Sequence, residues 1–176
     1  GSAKADSITA LGAFGNQSIT LDGGNGADWF SFSTVAQLAA ASLLGGAGVD
    51  TLALSGNDTL TDTEGTNTLI GGAGDDIYTV LAGSSIVELA NEGNDTIRTT
   101  SVSYILADNI ENLVFDNGAA FQGTGNALAN NIVGGNAADN LLGAAGDDTL
   151  LGGLGNDRLD GGTGSDTASY AGIATT

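Results

Sequence analysis

From Gly134 to Ser169 the chain reads GGNAADNLL, GAAGDDTLL, GGLGNDRLD, GGTGSDTAS, four consecutive nine-residue units that place an aspartate at Asp139, Asp148, Asp157 and Asp166 in unbroken register. A unit this short cannot bury a core alone, so it must be one rung of a coil that its neighbours complete. The same unit recurs as GGNGADWFS from Gly23, GGAGVDTLA from Gly45 and GGAGDDIYT from Gly71.

Within the unit, glycines favour positions one, two and four, an acid takes position six and an apolar residue takes position eight. Position eight is Phe30, Leu52, Tyr78, Leu141, Leu150 and Leu159, then the smaller Ala168. The residues around it are mostly extended formers, such as Thr-Leu-Ala or Ile-Tyr-Thr, so each unit reads as a tight turn followed by a very short strand whose middle side chain points inward. Degenerate copies fill the intervals: Asp58 with Leu60, Asn67 with Leu69, Ser85 with Val87, Asp95 with Ile97, Asn112 with Val114 and Asn130 with Ile132. The expected fold is all-β, a parallel β-solenoid.

The chain is expected to comprise N-terminal strands with one such turn over 1–44, a first block of coils over 45–98, a degenerate or irregular β segment over 99–129, a second block over 130–169 and a tail over 170–176. A Thr-x-x-Gln capping pattern at Thr34 and Gln37, followed by apolar residues at helical spacing, predicts one short helix near 34–43.

Composition narrows the function. Twenty-one acidic residues face three basic ones, a formal charge of −18, so nucleic acid and anionic membrane surfaces are repelled and cations are the natural partner. No apolar run approaches the roughly 18 to 20 residues needed to span a bilayer, so no direct membrane insertion is expected. Cysteine and histidine are absent, which excludes disulfides, thiolate metal sites, the usual zinc ligand and the usual neutral-pH base.

Glycines at positions one, two and four let the backbone adopt positive φ and turn carbonyls inward. Carbonyl and carboxylate oxygens together are what a hard cation such as calcium takes, in sixes to eights with loose geometry. Two turns and two strands make a coil of eighteen residues, which sets Asp139 under Asp157, Asp148 under Asp166 and Asp58 under Asp76. Two ladders of ions follow, one along each edge. One inward residue per unit contributes about 1.5 to 3 kcal/mol, small beside an ordering cost of roughly 1 to 2 kcal/mol for each residue. Stacked carboxylates about 5 Å apart add roughly 1 kcal/mol of repulsion in water, more where solvent is excluded. The chain is therefore expected to need cations in order to fold, each site contributing about 1.4 kcal/mol at ten times its dissociation constant.

These units resemble the GGxGxDxUx nonapeptides of the RTX, or hemolysin-type, calcium-binding proteins. The resemblance implies a parallel β-roll in which several calcium ions are held by turn carbonyls and by position-six aspartates one coil apart. Carried onto this sequence, the carboxylate ligands are Asp148, Asp157 and Asp166, then Asp50, Asp58, Asp76, Asp139 and Asp28. The carbonyl ligands come from Gly45 and Ala47, Gly71 and Ala73, Gly143 and Ala145, Gly152 and Leu154, and Gly161 and Thr163. The family also implies an extracellular protein of a Gram-negative bacterium, exported through type I secretion machinery and folding in external calcium. Asn67, Asn112 and Asn130 depart from the pattern by replacing the acid, Ser85 does so too, and Ala137 replaces a turn glycine.

Asp75 and Asp147, at position five, read as solvated charges, and so do Glu64, Glu88, Glu92 and Glu111. No catalytic residues are expected, because the paired carboxylates are accounted for by metal binding and no other catalytic group accompanies them. Two alternatives stand beside a calcium-dependent folding module. One is a self-assembling or adhesive surface module, from a surface layer or adhesin, that binds its own copies, polysaccharide or ice; outward Trp29 is the aromatic placed for carbohydrate contact. The other is the C-terminal module of a secreted enzyme whose chemistry lies elsewhere.

Overall fold

The structure, a computed structural model, describes residues 5, 7–9, 18–22, 25–31, 40–44, 47–48, 50–53, 56–62, 64–81 and 83–170. All its regular elements are short strands, with no helix among the described residues. The chain divides into two compact units, residues 1–95 and 96–176.

The first unit holds β1 (Ser7–Thr9), β2 (Ser18–Asp22), β3 (Asn25–Gly26), β4 (Trp29–Ser31), β5 (Ala40–Leu44), β6 (Ala47–Gly48), β7 (Thr51–Ala53), β8 (Thr59–Thr61), β9 (Thr68–Ile70), β10 (Ile77–Val80) and β11 (Ser85–Ile86). They pair in the orders β1-β4-β7-β9-β11, β2-β5-β8-β10 and β3-β6. The second holds β12 (Thr96–Thr99), β13 (Ser103–Ile105), β14 (Asn112–Phe115), β15 (Gln122–Thr124), β16 (Asn131–Val133), β17 (Asn140–Ala145), β18 (Thr149–Leu151), β19 (Arg158–Thr163) and β20 (Thr167–Ser169). These run in the orders β12-β14-β16-β18-β20 and β13-β15-β17-β19.

Neighbours within these sheets are parallel and in register, as in Leu52↔Leu69, Leu60↔Tyr78, Leu113↔Ile132, Ile132↔Leu150 and Leu141↔Leu159. Each unit is thus a parallel β-solenoid whose strands alternate between two faces. The strands are three residues or so because only the middle side chain has room inside, and the flanking ones face solvent.

Position eight supplies the core. Phe30, Leu52, Leu60, Leu69 and Tyr78 in the first unit, and Ile97, Leu113, Ile132, Leu141 and Leu150 in the second, are essentially inaccessible to solvent. Leu159 is half-buried and Ala168 exposed, since no described strand covers the far side of β19 or β20.

Two expectations shift. Residues 40–43 of the expected helix are strand β5, paired with β2 and β8 on either side; ladder hydrogen bonds from two neighbours override the helical preference of an Ala-Ser-Leu stretch. The remainder of that helix, 34–39, lies outside the described residues. In two degenerate copies the inward residue is one earlier than the spacing indicated: Ile86 and Leu113 are buried while Val87 is 40% exposed and Val114 half-buried. Residues 99–129 continue the coil, with β13 and β15 paired and β14 lying between β12 and β16.

Candidate metal sites in the turns

At the described turns named below, the residue just before the strand occupies position six, and its backbone sets the geometry. Its carbonyl accepts from the first strand N–H of the next coil, as in Thr68 to Asp50, Ile77 to Asp58 and Thr167 to Asp148 at 2.7–2.9 Å. Its own N–H points along the solenoid toward the equivalent side chain of the next coil.

In the first unit, one edge runs from Asp28 N–H to Asp50 Oδ1 (2.8 Å), Asp50 N–H to Asn67 Oδ1 (2.8 Å) and Asn67 N–H to Ser84 Oγ (3.2 Å). The other runs from Asp58 N–H to Asp76 Oδ1 (2.7 Å) and Asp76 N–H to Asp95 Oδ1 (2.8 Å). The sequence separations are 22, 17, 17, 18 and 19 residues, so the turns absorb length changes while the stacking persists.

In the second unit, Phe121 N–H donates to Asp139 Oδ1 (2.8 Å) and Asp139 N–H to Asp157 Oδ1 (3.0 Å). On the other edge Asn130 N–H donates to Asp148 Oδ1 (2.7 Å) and Asp148 N–H to Asp166 Oδ1 (3.0 Å). The expected pairs 58/76, 139/157 and 148/166 are therefore stacked neighbours.

This splits the work of the carboxylate. Oδ1 caps a backbone amide, a task that Asn67 performs equally well with its amide oxygen. Oδ2 is left for something else. In Asp50, Asp76, Asp148 and Asp157 it is buried with no hydrogen-bond partner, a condition that costs about 1 to 3 kcal/mol or more for a charged group.

Those oxygens hang over the position-one glycines. A Cβ added at Gly143 would collide with Asp148 Oδ2 and the Gly161 carbonyl oxygen; one at Gly134 would meet Asp139 Oδ2 and the Gly152 carbonyl; one at Gly152 or Gly161 would meet Oδ2 of Asp157 or Asp166. The missing side chain leaves a cradle walled by carboxylate and carbonyl oxygens, the donor set a hard divalent cation takes. The residues present therefore fit calcium. Gly72, Gly153 and Gly162 at position two have φ of 74°, 90° and 93°, the left-handed backbone that such a turn requires.

Not every turn is alike. Asp139 has both oxygens occupied, since Oδ2 accepts from Gly135 N–H at 2.6 Å. Asn130 donates to the Ile110 carbonyl at 3.0 Å and accepts from Asn126 N–H at 2.7 Å, closing its turn with neutral bonds. Among the expected carbonyl ligands, Ala73 and Thr163 accept from Gly56 (2.6 Å) and Gly146 (2.9 Å). Gly45 lies outside the described residues; Ala47 and Ala145 lie in β6 and β17, and Leu154 is exposed.

Position-five Asp75 and Asp147 are exposed as expected, yet they form an outer row, accepting from Asn94 N–H (2.9 Å) and Ser165 N–H (2.8 Å).

Spacing alone missed three residues. Phe121 takes position six and stacks on Phe115 with centroids 4.4 Å apart, filling with apolar surface what elsewhere is a polar cradle. Its ring crosses the inward position of β15, where a Cβ at Gly123 would strike Phe121 Cε1, which explains a glycine in the core. Asp62 and Glu88, both buried, occupy slots where other turns have position-one glycine. Glu88 is thus 6% exposed and not a surface charge. The signal for Asp62 was its place four residues after Asp58, and for Glu88 it was the register, which runs one residue earlier at Ser84-Ser85-Ile86 than the spacing indicated.

Burial pushes the Asp50, Asp62 and Asp148 carboxyls above the usual range. It pushes Asp76 up to about 7, helped by the charges of Asp58, Asp95 and Asp75, and Glu88 up to about 8, helped by Asp95 and Asp76.

The model of the RTX calcium-binding nonapeptide repeat matches four copies in this chain, over residues 52–87 and 124–168. The chain is also similar to the endo-1,3-1,4-beta-glycanase EglC of Rhizobium meliloti (strain 1021), with 36% identity over 115 residues, 64% of this chain and 22% of that protein. It thus spans about a fifth of the length of that relative.

Proposed function

Because this chain carries RTX calcium-binding nonapeptide repeats, we propose that it is a calcium-dependent folding and stabilising module of a protein exported by a type I route to the outside of a Gram-negative cell. The observation that carries the reading is Asp148 Oδ2, buried without a hydrogen bond beside the Gly161 carbonyl. Calcium bound there supplies the positive charge that this oxygen lacks. Asp148 and Asp166 hold calcium along this edge, and Asp157 holds it along the other, each through Oδ2, while Oδ1 keeps the amide of the preceding coil. Extracellular modules typically bind at about 10⁻⁴ to 10⁻³ M, which keeps such a chain unfolded in a cytosol and folds it outside. Circular dichroism in chelator and in millimolar calcium tests this: the β signal is expected only with calcium, and a chain already β-rich in chelator sinks the reading.

The likeness to a glycanase favours a second reading of the parent, in which this module is one part of a longer polysaccharide-acting enzyme and contributes no catalytic group. The chain alone should then leave a mixed-linkage β-glucan unhydrolysed, and release of reducing sugar by it would overturn that assignment. Trp29, 51% exposed, is the residue to watch if the chain is instead retained on the glucan.

A further inference from the structure

Two turns of the first unit carry a carboxylate at position one, where Gly71 and the glycines Gly134, Gly143, Gly152 and Gly161 of the second unit stand, and they resolve it in opposite ways. At the first, Asp62 N–H makes the ordinary turn bond to the Thr79 carbonyl (2.8 Å). Its carboxylate accepts from Asn67 Nδ2 (2.8 Å), Glu64 N–H (3.2 Å) and the Ser84 hydroxyl. Both position-six residues that it meets, Asn67 and Ser84, are neutral. One negative charge faces three donors, and the turn is closed by hydrogen bonds alone.

At the second, Leu69 pairs with Ile86, and continuing that register sets Glu88 opposite Gly71. Gly71 N–H donates to Tyr78 Oη (2.6 Å) and to Glu88 Oε1 (3.2 Å), and the Tyr78 hydroxyl donates to Glu88 Oε1. Here the position-six residues are Asp76 and Asp95. Oxygens of Asp76, Glu88 and Asp95 lie within 4.8 Å of one another, and all three residues are buried. Asp76 Oδ2, in a residue only 1% exposed, has no hydrogen-bond partner and stands over Gly71 beside Tyr78 Oη. Three formal negative charges in that volume repel one another, and more strongly than they would in water because all three residues are buried.

We propose that Glu88, which lies just beyond the repeat segment matched over 52–87, is a metal ligand, and that Asp76, Glu88 and Asp95 form a three-carboxylate site for a calcium-class cation. Tyr78 Oη orients the Glu88 carboxylate. The extra charge makes this the tightest cation site of the first unit, and its preference rises with the charge of the ion, so a trivalent lanthanide displaces calcium from it first. This rests on the calcium-dependent reading above and goes further by adding a ligand outside the repeat.

The test is a terbium titration of the full chain in saturating calcium, exciting tyrosine and reading sensitised terbium emission, with calorimetry for affinity. Wild type is expected to show one tight class that fills before the rest. Glu88→Gln should weaken that class by about tenfold or more; Tyr78→Phe should remove most of its sensitised emission while a tight calorimetric site persists. Glu88→Gly, which installs the residue that Gly71 and the second unit's ion-site turns carry, separates ligation from folding: it should match wild type by circular dichroism in calcium and lose the tight class. If either Glu88 variant keeps the tight class unchanged while the chain still folds with calcium, the proposal is overturned and the calcium reading stands. If wild type binds neither calcium nor terbium, both fall.

Discussion

In residues 96–129 the turn position that stacks from coil to coil holds Val102, Glu111 and Phe121, whereas in residues 130–169 it holds Asn130, Asp139, Asp148, Asp157 and Asp166. The backbone does the same thing in both stretches: its carbonyl accepts from the next coil, and the strands stay in parallel register. What differs is how the turn is filled. At Phe121 the earlier stretch closes with packed rings, which are self-sufficient, and at Asp148 and Asp157 the later one closes with buried carboxylate oxygens that lack a partner, which are not. A solenoid can therefore alternate turns that stand alone with turns that need a ligand, at no change in fold.

That contrast can be broken by experiment. The largest effect is expected from Phe121→Ala, which removes the stacked pair and opens space above Gly123; a loss of about 3 to 5 kcal/mol is expected by urea unfolding in saturating calcium, and by linkage the calcium needed for folding should rise while the number of ions bound stays unchanged. A fall in the number of bound ions would mean that the aromatic turn itself holds metal. Next, Asp157→Ala should cost about 1.5 to 3 kcal/mol by losing a charge-assisted cap and should raise the calcium needed for folding. Asp147→Ala, one turn position from a ladder residue, should cost under about 1 kcal/mol. Equal effects of these two on calcium-induced folding would refute the ladder.

Proton uptake offers a third comparison, between ligand-free and loaded protein. Asp76 at about 7 and Glu88 at about 8 both lie above their ordinary values of 3.8 and 4.5, so without metal the folded form binds more protons than the unfolded one across that window. Their contribution to stability is full below about pH 4 and is lost as pH rises through 7 and 8. In calcium-free buffer the first unit should hold more β structure at pH 5 than at pH 8; the opposite trend would mean that these carboxylates are not buried together. The smallest effect belongs to Ala144, which sits at position two with φ of 85°. Ala144→Gly should stabilise by about 1 kcal/mol, seen as a higher melting temperature in calcium.

Much of this was legible in the residues. Position eight named the inward side chains because one apolar residue per nine can only be a one-residue-deep strand, and Leu52, Tyr78, Leu141 and Leu150 are buried accordingly. Position six named the stacked aspartates because their separation equals one coil. The sequence could not show Glu88 as interior, since the shorter turn before it slides the register by one and makes a buried acid look like a surface one. Phe121 escaped because an aromatic ring replaces the acid that marks the motif, and only the glycine at 123 hinted that something large entered there. The strand at Ala40–Leu44 was hidden by local composition, which says nothing of the neighbours that recruit it.

The amide caps run in one direction. On each edge the N–H of a position-six residue is satisfied by a side chain of the coil that follows it in sequence, as Asp58 is by Asp76 and Asp148 by Asp166. Each coil therefore supplies the acceptors for the one before it, so the loss of a position-six side chain is felt first by the amide of the preceding coil and not by its own.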